Sequence, residues 1–91
     1  MAKLKDGYDK AAMEQVMEDL RSLDLPGMLQ YTLGLDAGLR DGNWDFVIVC
    51  DLADIDSYRN YDSDEKHNEI RGRLGKQVDE MARAQFELPD S

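Results

Sequence analysis

Cysteine is all but missing from this 91-residue chain: Cys50 stands alone, so no disulfide can form within one copy. Histidine is as scarce, with His67 the only one. A zinc site draws on three or four protein ligands, and one thiol with one imidazole falls short. No Asp-rich loop closes on a suitably spaced Glu, so a calcium loop is not expected either. Neither metal nor cofactor is expected. Basic residues are in deficit, 11 Lys and Arg against 20 Asp and Glu, for a net charge of −9. The clustered cations that hold nucleic-acid phosphates or anionic membranes are therefore absent, and the surplus of carboxylates reads as a solubility device. There is no apolar run long enough to cross a bilayer and no leader-like start. Together with a single thiol, this gives the expectation of a cytoplasmic protein. The length allows one domain with a modest core and no covalent staples, a situation in which small proteins gain stability by pairing.

What is present is strong periodicity. Ala2 to Lys5 reads as a short strand ended by Asp6-Gly7. Asp9 can cap a helix with Tyr8 stapled onto Met13, and Ala12, Val16, Leu20 and Leu23 recur at helical spacing up to Pro26-Gly27. Met28 to Asp36 alternates as a strand, with Leu29, Tyr31, Leu33 and Leu35 on one side. A polar loop with two glycines leads to a third strand, Trp44 to Asp51. Asp51 or Asp54 can start a short helix whose stripe is Leu52, Ile55, Tyr58 and Tyr61. Asp62 with Glu65 resembles the capping box of a further helix carrying His67, Ile70 or Arg71, Leu74 and Val78 on one face. Gly72 and Gly75 weaken its second half. Met81 to Leu88 alternates again as a last strand, and residues 89–91 form a tail. The order is that of a ferredoxin-like α+β domain, βαββαβ, spanning residues 1–88, with an antiparallel four-stranded sheet and helices on one face.

The third strand carries the argument further. Trp44, Phe46, Ile48 and Cys50 make one face, and Val47 and Val49 make the other. An antiparallel strand with a wet face alternates apolar and polar, whereas this one is apolar on both sides at its centre. Helices can cover one side. A chain this short has no second layer for the other, so Val47 and Val49 are expected to meet the same face of a second copy.

Several stretches, in order, resemble the stress-responsive A/B barrel (Dabb) family of the dimeric α/β-barrel superfamily. Leu4-Lys5-Asp6-Gly7 resembles the end of the family's first strand. Leu25-Pro26-Gly27-Met28 with Leu33-Gly34-Leu35-Asp36 resembles the second, and Trp44-Asp45-Phe46-Val47-Ile48-Val49 the third. Asp56-Ser57-Tyr58, Asp64-Glu65-Lys66-His67 and Gln85-Phe86-Glu87-Leu88 resemble the later helices and closing strand. The resemblance runs from about residue 3 to residue 88. It implies two sheets packed face to face as a barrel, with a pocket between sheet and helices in each copy. Members include a plant polyketide cyclase that uses a Tyr and a His after the third strand. Tyr61 and His67 stand six residues apart in the matching region, as in that cyclase, and Tyr58 is the other candidate for the tyrosine. Two departures stand out: the first strand is short and lacks the His the family often carries there, and the family's "HPxH" segment has here no Pro and a single His.

Each candidate residue has two readings. His67 is the natural acid–base group near neutral pH, or a hydrogen-bonded His in the first turn of a helix. Tyr58 and Tyr61 can donate to a carbonyl or developing enolate, or serve as core rings. Trp44 and Phe46 can wall a pocket or simply pack. Arg71 can meet a ligand carboxylate or form an ion pair. Cys50, on a buried strand, reads as an inert thiol. Three functions follow: a homodimer binding a small apolar or aromatic molecule, a cofactor-free aldol-type cyclase using His67 and Tyr61 or Tyr58, or a structural dimer without ligand. Haem-degrading relatives rank lower, because the residue set they need is missing.

Overall fold

The computed structural model describes residues 1–88, so the C-terminal tail at 89–91 lies outside the described residues. The chain runs β1 (Ala2–Leu4), α1 (Lys10–Arg21), β2 (Met28–Leu35), β3 (Phe46–Leu52), α2 (Ile55–Ser63), α3 (Glu65–Gly75) and β4 (Val78–Met81). The strands form one antiparallel sheet in the order β2-β3-β1-β4. This is the expected ferredoxin-like arrangement, with the second βαβ-like half carrying a broken helix.

Local chemistry sets the boundaries. Asp9 caps α1, its Oδ1 accepting the Ala12 N–H at 3.1 Å. Met13, Val16, Met17 and Leu20 are buried along one stripe of α1, and Leu23 follows them into the core. The Leu25 carbonyl accepts the Met28 N–H at 3.1 Å across Pro26-Gly27, with Gly27 at φ +81°. Pro fits the first central position of such a turn and Gly the second. Gly27 also lies so close to the side chain of Ser57 that a methyl group there would collide with it. The turn thereby brings the start of β2 against the start of α2.

The sheet buries one face. Leu33, Phe46 and Ala2 join the α1 and α3 residues Leu20, Ile70 and Leu74 in the core, with Tyr31, Ile48 and Val78 packed at its margin. Val47 and Val49 point away from the helices, 39% and 53% exposed. They lie opposite Gly34 and Thr32 of β2, which share that outer face. The two-sided apolar character read from the sequence is thus a covered face and an uncovered one.

Five details differ from the sequence reading. The register shifts between Met28 and Gln30, so Leu29 leaves the face of Tyr31 and Leu33 and is 70% exposed. Leu52 belongs to β3, and Ile55 in the first turn of α2 is exposed, so their helical spacing with Tyr58 was fortuitous. The cap of α3 is Asp64, not Asp62: α2 runs on through Ser63, and the Asp64 Oδ2 accepts the His67 N–H at 2.8 Å. α3 ends at Gly75, and Val78 starts β4 instead of continuing the helix, because the Gln77 carbonyl accepts the Lys5 N–H at 2.8 Å and pulls the chain beside β1. Finally, β4 spans Val78–Met81, whereas 82–88, expected as strand, carries no ladder beyond Ala82.

Candidate functional site

The β2–β3 register sets Tyr31 opposite Cys50 on the helix-facing side. α2 crosses above and lowers Tyr61 onto this point, where the two phenol oxygens lie 3.0 Å apart and the rings meet edge to face at 6.0 Å. The Asp64 cap then turns the chain so that the first residues of α3 fold back over α2. This stacks the His67 ring on Tyr61 at 3.9 Å, with 30° between planes. One turn later Arg71 returns to the same place. Its Nη2 lies 3.0 Å from the Asp62 carboxylate and 2.9 Å from His67 Nδ1.

His67 is almost wholly buried, 5% exposed. Its Nδ1 is also 2.9 Å from the Tyr61 carbonyl. A guanidinium only donates and a carbonyl only accepts, so these two neighbours ask for opposite tautomers. Both are compatible with a neutral ring. A doubly protonated ring would set Nδ1–H against the Arg71 cation. Burial, and after it the Arg71 charge, accordingly hold the imidazole below its ordinary pKa of 6.5. Burial, reinforced for Tyr31 by its bond to Tyr61, pushes both phenols above their usual 10. They are donors, not phenolates, at neutral pH. Burial also raises the Cys50 thiol, with Asp51 adding to the effect, and this suits the inert role expected of it.

Beside this cluster is a cavity of about 500 Å³. Tyr58, Tyr61, His67 and Arg71 line its polar wall, and Leu20, Phe46, Ile48 and Leu74 contribute its apolar lining. The structure therefore gathers Tyr58, Tyr61, His67, Arg71 and Phe46 around one space. Trp44 is not part of that lining; its ring sits beneath the Lys3 ammonium at 5.7 Å. Arg71 is engaged by Asp62 of its own chain. Two participants escaped the sequence reading, Tyr31 and Asp62. Alternation places Tyr31 on the apolar face of β2, and only the cross-strand register shows that its hydroxyl meets Tyr61. The spacing of Asp62 and Glu65 suggests only a helix cap.

A family model, the stress responsive A/B barrel domain, matches residues 1–88. The chain belongs to the Dabb family. This Dabb domain also superposes on a dimeric ferredoxin-like protein of unknown function from Thermobifida fusca. The identity is 29% and the TM-score 0.89, over 97% of this chain and 85% of that one. A second dimeric protein of unknown function with a ferredoxin-like fold, from Bacteroides fragilis, shares 18% identity at a TM-score of 0.76. It covers 96% of this chain and 89% of its own. No curated protein matches the chain. Among the described residues, no helix is long and apolar enough to cross a membrane.

The neutral-imidazole assignment makes a direct prediction. In an NMR titration, His67 should protonate below pH 6.5. Arg71→Gln should raise that midpoint without restoring it fully, since burial, the larger cause, remains. As pH falls through 6.5 the unfolded chain takes up the proton first, so His67 lowers stability from there down to its folded pKa. Above pH 6.5 this loss is absent. The melting temperature should fall across that window, and His67→Gln should flatten this part of the profile. A His67 midpoint above 6.5 would contradict the assignment.

Proposed function

We propose that this Dabb domain works as a homodimer, pairing through the outer sheet faces that carry Val47 and Val49. Each copy then binds a small aromatic or apolar molecule in the cavity between sheet and helices. The observation that carries the reading is the cavity itself: about 500 Å³ of largely apolar space with a Tyr61–His67 stack in its wall. That volume is of the size small-molecule pockets have. An open space at this position favours ligand binding over a structural dimer whose sheet–helix interface is filled by Met and Leu. The Tyr58 and Tyr61 phenols and the neutral imidazole, all in the cavity wall, suit a ligand with a hydroxyl or carbonyl at one end. The setting proposed is the cytoplasm, where a lone half-buried thiol stays reduced.

A test uses 2-hydroxyacetophenone, an aromatic carrying both groups. It should shift the Tyr61 and His67 resonances on binding. Tyr61→Phe should weaken binding about 5- to 30-fold, the worth of about one buried hydrogen bond. No saturable shift at millimolar probe, or equal affinity in Tyr61→Phe, would rule this out.

A second reading, an aldol-type cyclase without cofactor, draws on the same stack. A neutral His67 is in the form a general base needs, and Tyr61 or Tyr58 would hold the developing oxyanion through its O–H. His67→Ala should then abolish turnover of a poly-β-ketone even at saturating concentration, where weakened binding alone would not. Unchanged turnover would exclude this role.

A further inference from the structure

His67 has two neighbours that one neutral ring cannot satisfy together. Both of its side-chain contacts fall on Nδ1: the Tyr61 carbonyl at 2.9 Å and Arg71 Nη2 at 2.9 Å. A neutral imidazole carries a single proton. Placed on Nδ1, that proton is donated to the carbonyl and faces the guanidinium. Placed on Nε2, it leaves Nδ1 free to accept an Arg71 N–H.

Asp62 weights this choice by holding Arg71 in place. Nη2 has two hydrogens, and one goes to the Asp62 carboxylate at 3.0 Å. For the other, His67 Nδ1 at 2.9 Å is a nearer acceptor than the Asp62 carbonyl at 3.4 Å. A hydrogen bond from a charged donor is roughly twice as strong as a neutral one. An Nδ1–H would forfeit that bond and set two N–H groups against each other. The Tyr61 carbonyl loses less in the alternative, because it also accepts the Asp64 N–H, at 3.4 Å.

The choice reaches the cavity through the far side of the ring. His67 is part of the cavity wall, and among the described residues its Nε2 has no hydrogen-bond partner, both contacts being on Nδ1. Nε2 is therefore the nitrogen left for a ligand. A carbonyl oxygen only accepts and suits an Nε2–H. An alcohol brings an O–H that needs an acceptor, and this tautomer withholds one. We propose that Asp62 and Arg71 fix His67 as the Nε2–H tautomer, so that the cavity selects aromatic ligands ending in a carbonyl over those ending in a hydroxyl. The inference rests on the ligand-binding reading and narrows its ligand class. It also sets that reading apart from the cyclase: a base acting from Nε2 needs a lone pair there, and Arg71 must leave Nδ1 first. Asp62 and Arg71 are thus positioning residues that act through the imidazole.

The tautomer is read directly from two-bond 1H–15N correlations of the labelled protein at mildly alkaline pH, where the ring is neutral. The parent should show Nε2–H. Arg71→Met keeps an apolar stem without donors and should move the proton to Nδ1, facing the Tyr61 carbonyl. Asp62→Asn loosens the hold on Nη2 and should give a mixture. A purely structural role for the pair would leave the tautomer unmoved. Both side chains are partly exposed, so the backbone spectra of the variants should overlay that of the parent away from the cluster. Two probes of matched skeleton read the selection. Acetophenone should bind the parent about five- to tenfold more tightly than 1-phenylethanol, and Arg71→Met, whose Nε2 can accept the alcohol proton, should lose that preference. An Nδ1–H tautomer in the parent, or one unmoved by Arg71→Met, would overturn the proposal while leaving the ligand reading intact if the probes bind. Equal affinity of the parent for the two probes would overturn the selection. Binding of neither probe would overturn the ligand reading and the selection together.

Discussion

Val49→Asp should abolish the proposed dimer, giving a monomer or an aggregate on size exclusion where the parent chain should elute as a pair. Val49 is 53% exposed in the single chain and lies next to Thr32 on the face opposite the helices. A second sheet packed on that face would bury it. A carboxylate placed there without a partner must be desolvated, at a cost of about 3–5 kcal/mol for an unpaired buried charge. A twofold-symmetric pair would carry the cost twice. Even one such penalty weakens association about 10²- to 4 × 10³-fold. Within one copy the same substitution is mild, because the position is open. The variant should therefore keep its helical circular dichroism while losing its partner. Leu29→Asp is the matching control: Leu29 is also exposed, but the bulge at the start of β2 sets it apart from the central valines. An unchanged elution volume for Val49→Asp would count against pairing through this face.

Ile70→Ala should be among the most damaging single truncations in the core. Ile70 is 1% exposed and sits with Leu20 and Phe46 where α3 meets α1 and the sheet. Removing its buried methyl and methylene groups loses their transfer energy and leaves a cavity, together about 2–5 kcal/mol. A domain of this size holds only ~5–14 kcal/mol in total, so the loss is a large share. The melting temperature should drop by about 10–30 °C. Ile55→Ala removes the same atoms from a side chain that is 57% exposed and should change stability by no more than about 0.5 kcal/mol. Similar losses at the two positions would contradict the placement of α3.

The contrast between those two isoleucines shows what was legible in the sequence. Long periodic stretches were: α1 with its Asp9 cap, the β2–β3 hairpin, and the apolar excess of β3 that separates Val47 and Val49 from Phe46 and Ile48. Short stretches were not, because local spacing cannot see tertiary partners. Ile55 has helical spacing with Tyr58 but precedes the point where α2 reaches the sheet. Val78 continues the rhythm of Leu74, yet the bond from Lys5 to Gln77 makes it a strand residue. Residues 82–88 alternate like a strand, but among the described residues only Ala82 is paired, with Met1 beside β1.

The candidate site was half legible. Tyr61 and His67 stood out by residue type and by separation, and the structure stacks them. The bond between Tyr31 and Tyr61 joins residues thirty positions apart and depends on the β2–β3 register, which no pattern of residue types specifies. Likewise Asp62 holds Arg71 only because α3 folds back over α2. The carboxylate is placed by the bend at Asp64, one of several Asp residues equally suited by type to be the cap.

Sedimentation equilibrium of the unmodified chain at micromolar concentration bears most directly on the whole account. Pairing through the valine face predicts twice the chain mass of 10.4 kDa, with Val47 and Val49 amides and methyls shielded from solvent probes. A particle of single-chain mass, with those two side chains fully wetted, would contradict it.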